Sequence, residues 1–191
     1  MHTSFWCGEC RARLPEARKV CHKDFPYLLG GAAPYSDERI RALVHGLKFQ
    51  FIRDAAHPLG NLVAKYLSQF ADRWQSFTIV PIPLSPRRER TRGFNQSRLI
   101  AEVVAERLHL PISDALRRTR HTAPQSELEN YDARRANVEG CFAVNNPDTV
   151  KGKHIMFIDD VATSGTTFLE ATRALKAAGA QGTVAVAAAL A

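Results

Sequence analysis

The run HIMFIDDVATSGTTFLEA, residues 154–171, constrains this chain more than any other. An apolar segment enters two adjacent aspartates, Asp159 and Asp160, passes a hydroxyl-rich loop around one glycine, and continues as a helical pattern. In a parallel α/β sheet, ligands collect beyond the carboxyl ends of the strands, and the two acids stand at such an end. The loop Val161, Ala162, Thr163, Ser164, Gly165, Thr166, Thr167 leads to a helix N-terminus, where unpaired amides and the helix dipole favour an anion. Gly165 lets the backbone approach closely, and the four hydroxyls add donors. The acids repel phosphate, but they suit the hydroxyls of a sugar, or a Mg²⁺ shared with it. A phosphate cradle flanked by such carboxylates describes a sugar phosphate. It is not a nucleotide P-loop, because no Gly-Lys-Ser/Thr follows.

The rest of the chain supplies a frame for that turn. Residues 36–49 open with Ser36 as expected N-cap and place Ile40, Leu43, Val44 and Leu47 at helical spacing. Residues 59–70 repeat the style, and 94–108 line Leu99, Ile100, Val103, Val104 and Leu108 on one face. Residues 77–84 read as a strand stiffened by Pro81 and Pro83, which remove two backbone donors. Further strands are expected at 141–144, 154–158 and 183–190, with a helix from Thr166 to Ala178 stopped by Gly179. Strands alternating with helices, the late strands apolar throughout, predict an α/β fold: a parallel sheet with helices on both faces. Residues 111–140 have no pattern of their own and read as a functional or flexible loop.

The formal net charge of +7 suits a polyanionic partner or a phosphorylated ligand, and the arginines cluster at 85–98 and 116–120. The longest apolar tract, residues 183–191, is too short to cross a bilayer, and residues 1–10 lack a signal-peptide pattern. Those two features favour the cytoplasm and no membrane contact.

On these residues, the segment 155–167 resembles the phosphoribosyl pyrophosphate (PRPP) motif of type I phosphoribosyltransferases. Residues 80–102 and 116–144 resemble the two signature stretches of the ComF family, also called competence protein F or GntX-like. The resemblance implies a type I phosphoribosyltransferase-like domain over residues 28–191 that binds PRPP with Mg²⁺. Asp159 and Asp160 would address the ribose hydroxyls, and residues 161–167 would wrap the 5-phosphate. Arg87, Arg88, Arg90 and Arg92 become candidates for the pyrophosphate, with Arg87 and Arg92 favoured. A hood over about residues 120–137 would carry Gln125, Ser126, Arg134 and Asn137 and close over the site. Purine-salvage members of this fold carry a further acid where this chain has Thr163, so ordinary purine salvage is not expected and the acceptor stays unidentified. The family's link to DNA uptake adds a second reading: a non-catalytic PRPP sensor that binds single-stranded DNA, stacking bases on aromatics such as Phe94, and works with other competence proteins.

Residues 1–27 form a separate segment. Cys7 and Cys10, then Cys21 and Asp24 with His22 nearby, give Cys-x-x-Cys followed by Cys-x-x-Asp. Four cysteines so spaced would be a zinc ribbon; here Cys7, Cys10 and Cys21 with Asp24 or His22 could still bind Zn²⁺, or the knob is degenerate and held by Phe5, Trp6 and Phe25. Zinc content of protein purified without chelator decides between them. Cys141 is remote and reads as core.

Overall fold

The last two strands of the chain, nine residues each, are buried over most of their length, and strands covered on both faces form the centre of a parallel sheet. The computed structural model describes residues 5–6, 13–14 and 27–191. Among these, β1 (Phe5–Trp6) pairs antiparallel with β2 (Arg13–Leu14). Cys7, Cys10, Cys21, His22 and Asp24 lie outside the described residues.

The main sheet is built from β3 (Leu28–Pro34), β4 (Phe77–Pro81), β7 (His154–Ala162) and β8 (Gly182–Leu190), in the order β3-β8-β7-β4, all parallel. Alternation divides its side chains between two cores. Ile155, Phe157, Ala185 and Ala187 pack beneath α6 (Thr166–Ala177). Met156, Ile158, Val184 and Val186 meet α1 (Glu38–Phe49), α2 (Ala56–Ser68) and α4 (Gln96–Leu108) on the other face. The expected doubly covered parallel sheet is therefore the one formed. No helix among the described residues is long and apolar enough to cross a membrane.

Some local expectations give way to stronger local chemistry. The N-cap of α1 is Asp37, whose carboxylate accepts from the Arg39 amide, rather than Ser36. The arginine loop contains a helix, α3 (Pro86–Arg92), capped by Ser85 with Pro86 in its first turn. The strand near Cys141, β6 (Phe142–Val144), pairs antiparallel with β5 (Leu116–Arg118) in a separate hairpin-like sheet and does not join the parallel one. The polar stretch that follows β5 holds a further helix, α5 (Tyr131–Val138), on the α6 side.

The chain leaves β4 through α4 towards Ile112, which bridges to Ile79 of β4, and leaves β7 in the opposite direction through α6 to β8. The crevice between the carboxyl ends of β4 and β7 is thus a topological switch point, the place where open α/β sheets bind ligands.

Candidate functional site

Asp159 and Asp160 lie near the end of β7 in that crevice, each held by a different element. Asn95 caps α4 and donates through Nδ2 to the Ile82 carbonyl at 3.0 Å, which ties the helix start to the end of β4. Ser97, in that first turn, is thereby placed to donate through Oγ to Asp159 Oδ1 at 2.6 Å. The same oxygen accepts from the Asp160 amide at 2.9 Å. Asp160 Oδ1 accepts from the Val161 amide at 2.6 Å and pairs with Lys48 Nζ at 2.9 Å. Its Oδ2 is buried without a hydrogen-bond partner. Burial, then the charge of Asp160, pushes the Asp159 carboxyl up to about 7, against the opposing effects of Ser97 and Lys48.

That shift fixes a sign. A carboxyl that binds its proton more tightly folded than unfolded stabilises the fold most at acid pH and loses this contribution as pH rises from about 4 through about 7. Asp159→Asn is expected to flatten that fall in a series of thermal unfolding curves from pH 4 to 8; an unchanged slope would show that another group carries it.

The hydroxyl loop follows. Val161 and Ala162 are still strand residues, Ala162 buried in the core beneath α6. Gly165 caps α6 with φ +75°, a left-handed conformation, and contributes no side-chain cap to the helix amides. Tyr27 Oη donates to the Gly165 carbonyl at 2.7 Å, and burial raises the phenol pKa. Ser164 Oγ and Thr166 Oγ1 lie 3.0 Å apart, and Gln125 Nε2 reaches Thr166 Oγ1 at 3.3 Å. Thr163 and Thr167 are half-buried on the same turn. Amides and hydroxyls converge around an uncapped helix start, as an anion site requires.

The arginines divide by helical face. Arg88 and Arg92, four apart, are half-buried, whereas Arg87 and Arg90 are exposed. Arg92 pairs with Gln96 and feels both acids, while Arg88 Nη2 donates to the Thr122 carbonyl at 2.8 Å. The inward pair is therefore Arg88 and Arg92; Arg87 faces solvent. In the hood, Asn137 clamps Ala123 through both its amide and its carbonyl. Gln125 Nε2 also meets the Arg134 carbonyl, and Arg134 Nε donates to Leu128 O at 3.0 Å, within the hood itself. Ser126 lies in the same single turn as Gln125. Phe94 is buried under the Arg53 guanidinium, which stands 5.3 Å from its ring centre, so a base does not stack on it in this arrangement.

Three residues of the site escaped the motif. Lys48 stands four beyond Val44 and eight beyond Ile40, a charge on the extension of an apolar stripe, and Ser97 likewise lies on the buried face of α4. Polar residues in apolar registers were the available signal for both. Tyr27 offered none.

The phosphoribosyl transferase domain family matches residues 95–191. DNA utilization protein YhgH of Escherichia coli (strain K12) is 33% identical over 189 residues, which covers 94% of this chain and 75% of that protein. Competence protein ComFC of Bacillus subtilis (strain 168) is 31% identical over 134 residues, 67% of this chain and 50% of that protein. Among solved structures, glutamine PRPP amidotransferase from B. subtilis, complexed with ADP and GMP, aligns at 20% identity with a TM-score of 0.46; the match covers 69% of this chain, which spans 26% of that one. Since the family matches residues 95–191 and a relative 33% identical is matched over 94% of this chain, the chain belongs to the phosphoribosyl transferase domain family and, within it, to the ComF family.

Proposed function

We propose that this chain binds PRPP at the β4–β7 switch point and transfers its ribose 5-phosphate to an acceptor. The observation that carries this reading is the pairing of an uncapped, glycine-turned helix start with two carboxylates one loop away, one of them with a buried unpartnered oxygen. The helix amides and the hydroxyls of Ser164 and Thr166 take the 5-phosphate. Asp159 and Asp160 take the ribose hydroxyls, and Arg92, beside both acids, meets the diphosphate on the far side of the sugar.

As the bond to the diphosphate breaks, positive charge grows on the ribose ring. The adjacent carboxylates favour that charge, and the arginines favour the negative charge on the departing group. Water would intercept the ribose centre, which gives a physical reason for a hood to cover it. The Gln125 contact to Thr166 already brings the hood to the edge of the loop.

The hard oxygen donors and the unpartnered Asp160 Oδ2 fit a divalent cation such as Mg²⁺, held by Asp159 and Asp160. When bound, it would neutralise charge on the diphosphate. Among the described residues no group of three or more histidine, cysteine or carboxylate side chains is assembled.

Calorimetry with PRPP and Mg²⁺ tests the shared claim. Wild type is expected to bind, and Asp159→Asn/Asp160→Asn to bind at least about tenfold more weakly, the size of one lost charge-assisted contact. No binding by wild type, or equal binding by the double variant, would sink it. Pyrophosphate release over a panel of bases and amines then separates a transferase from a PRPP sensor.

A further inference from the structure

We propose that residues 49–52, at the end of α1, form a stacking platform for the acceptor, a planar heteroaromatic base held by its face beside the acid pair. The inference rests on the sugar-phosphate reading of the crevice and names the class of molecule that receives the ribose.

Four large apolar side chains are exposed among the described residues, and three of them, Phe49, Phe51 and Ile52, fall within four consecutive positions. Both flanks of this segment are tied to the crevice. Lys48 Nζ pairs with Asp160 Oδ1 at 2.9 Å on the β7 side. The Arg53 guanidinium lies over the Phe94 ring, and the next residue, Asn95, bonds the Ile82 carbonyl just past β4. Residues 49–52 therefore run from one wall of the crevice to the other. Arg53 covers Phe94, whereas Phe49 and Phe51 are 63% and 49% exposed.

The backbone makes this segment both strained and rigid. The Ile52 amide donates to the Gly46 carbonyl at 3.0 Å and closes the helix, with Phe51 left-handed at φ +58°. Glycine is the usual residue at such a stop, because a bulky side chain is strained there. Phe51 carries that strain and still stays half exposed, so burial within this chain does not offset it. A ligand that covers the ring does. His45 packs against the Phe49 ring, their centres 4.9 Å apart. Rings held in this way lose little freedom on binding.

Exposed aromatic faces select a flat π-surface, and stacking tolerates different bases because each has such a face. Residues 161–167 carry hydroxyls but no carboxylate or amide side chain for a base edge, which agrees with recognition by the face. In the transfer, a ring nitrogen of the stacked base gives its lone pair to ribose C1. The bond from C1 to oxygen breaks with its electron pair leaving on the diphosphate, which also takes the proton the nitrogen loses.

The test is calorimetry on the full chain with ribose 5-phosphate, adenosine 5′-monophosphate, uridine 5′-monophosphate and adenosine in separate titrations. Both nucleotides are expected to bind wild type about tenfold or more tightly than ribose 5-phosphate, the size of one stacking contact. Phe51→Ala is expected to abolish that advantage and leave ribose 5-phosphate unchanged, whereas Phe51→Tyr, which keeps a π-face, retains it. Phe51→Gly fits the left-handed position without strain and is expected to match Phe51→Ala, which separates loss of the ring from damage to the fold. Nucleotides that bind no more tightly than ribose 5-phosphate, or equally well to wild type and Phe51→Gly, overturn the platform. In that event, a dimer seen by light scattering and dissociated by Phe51→Gly would assign the ring to a second copy of the chain. Absent ribose 5-phosphate binding, with adenosine binding that Phe51→Gly removes, would instead overturn the sugar-phosphate reading and leave the platform standing.

Discussion

Lys48→Met is expected to lower the free energy of unfolding at neutral pH by about 2–4 kcal/mol, slightly below the range for breaking one side of a fully buried ion pair. The discount reflects the lysine, whose side chain is 25% exposed; the carboxylate it leaves behind is only 3% exposed. Asp160 Oδ1 would then keep the Val161 amide alone, and Oδ2 has no partner to begin with. Lys48→Met/Asp160→Asn is expected to recover most of the loss, because removing both charges is far cheaper than stranding one. Denaturant unfolding with an unchanged m-value is the measurement. A single variant as stable as wild type would show that the ammonium does not compensate the acid. The pair also bears on ligand binding. With Oδ1 held by Lys48 and the Val161 amide, a sugar hydroxyl or a divalent cation arriving at Asp160 meets Oδ2.

Lys48 also shows where sequence reading stops. The turn at 158–167 was legible because everything it needs is local: the strand end, the glycine with positive φ and the helix start lie within a dozen residues. The central strands were legible because apolar runs of their length have few other places to go. The helix at Pro86–Arg92 left a readable mark, a serine cap followed by proline, but four arginines among seven residues made the stretch look like loop. Its two faces, and hence the choice of Arg88 over Arg87, follow only once it is helical. Contacts across the chain carried no such mark. Lys48 reaches an acid 112 positions away, Tyr27 a carbonyl 138 positions away, and Ser97 an acid 62 positions away. Each depends on strand order and helix docking, which periodicity does not specify. The strand at Phe142 was misplaced for a related reason: three apolar residues fit a parallel sheet or an antiparallel pair equally well, and its partner Leu116–Arg118 is too short and basic to announce itself.

Gly165→Ala is expected to weaken binding of ribose 5-phosphate by about tenfold or more, equivalent to about 1.4 kcal/mol or more, through the shape of the loop alone. Two costs combine. Gly165 sits at φ +75°, where an alanine pays roughly 1–2 kcal/mol of backbone strain. Its new Cβ would also stand 2.6 Å from Tyr27 Oη, too close for the buried phenol to remain where it donates to the Gly165 carbonyl. The loop must therefore rotate or lift, and the amides at the start of α6 lose their common aim. The second variant separates the two costs. Tyr27→Phe on its own removes one hydrogen bond, about 1 kcal/mol, and the Gly165 carbonyl keeps the Leu169 amide. Combined with Gly165→Ala, the phenylalanine clears the space that the Cβ needs and is expected to return part of the affinity, leaving the backbone strain behind. Calorimetric titration of the two single variants and the double variant gives the cycle directly. If Gly165→Ala binds ribose 5-phosphate as wild type does, the phosphate is not held by this turn; if the double variant is no better than Gly165→Ala, the phenol is not what the loop rests on.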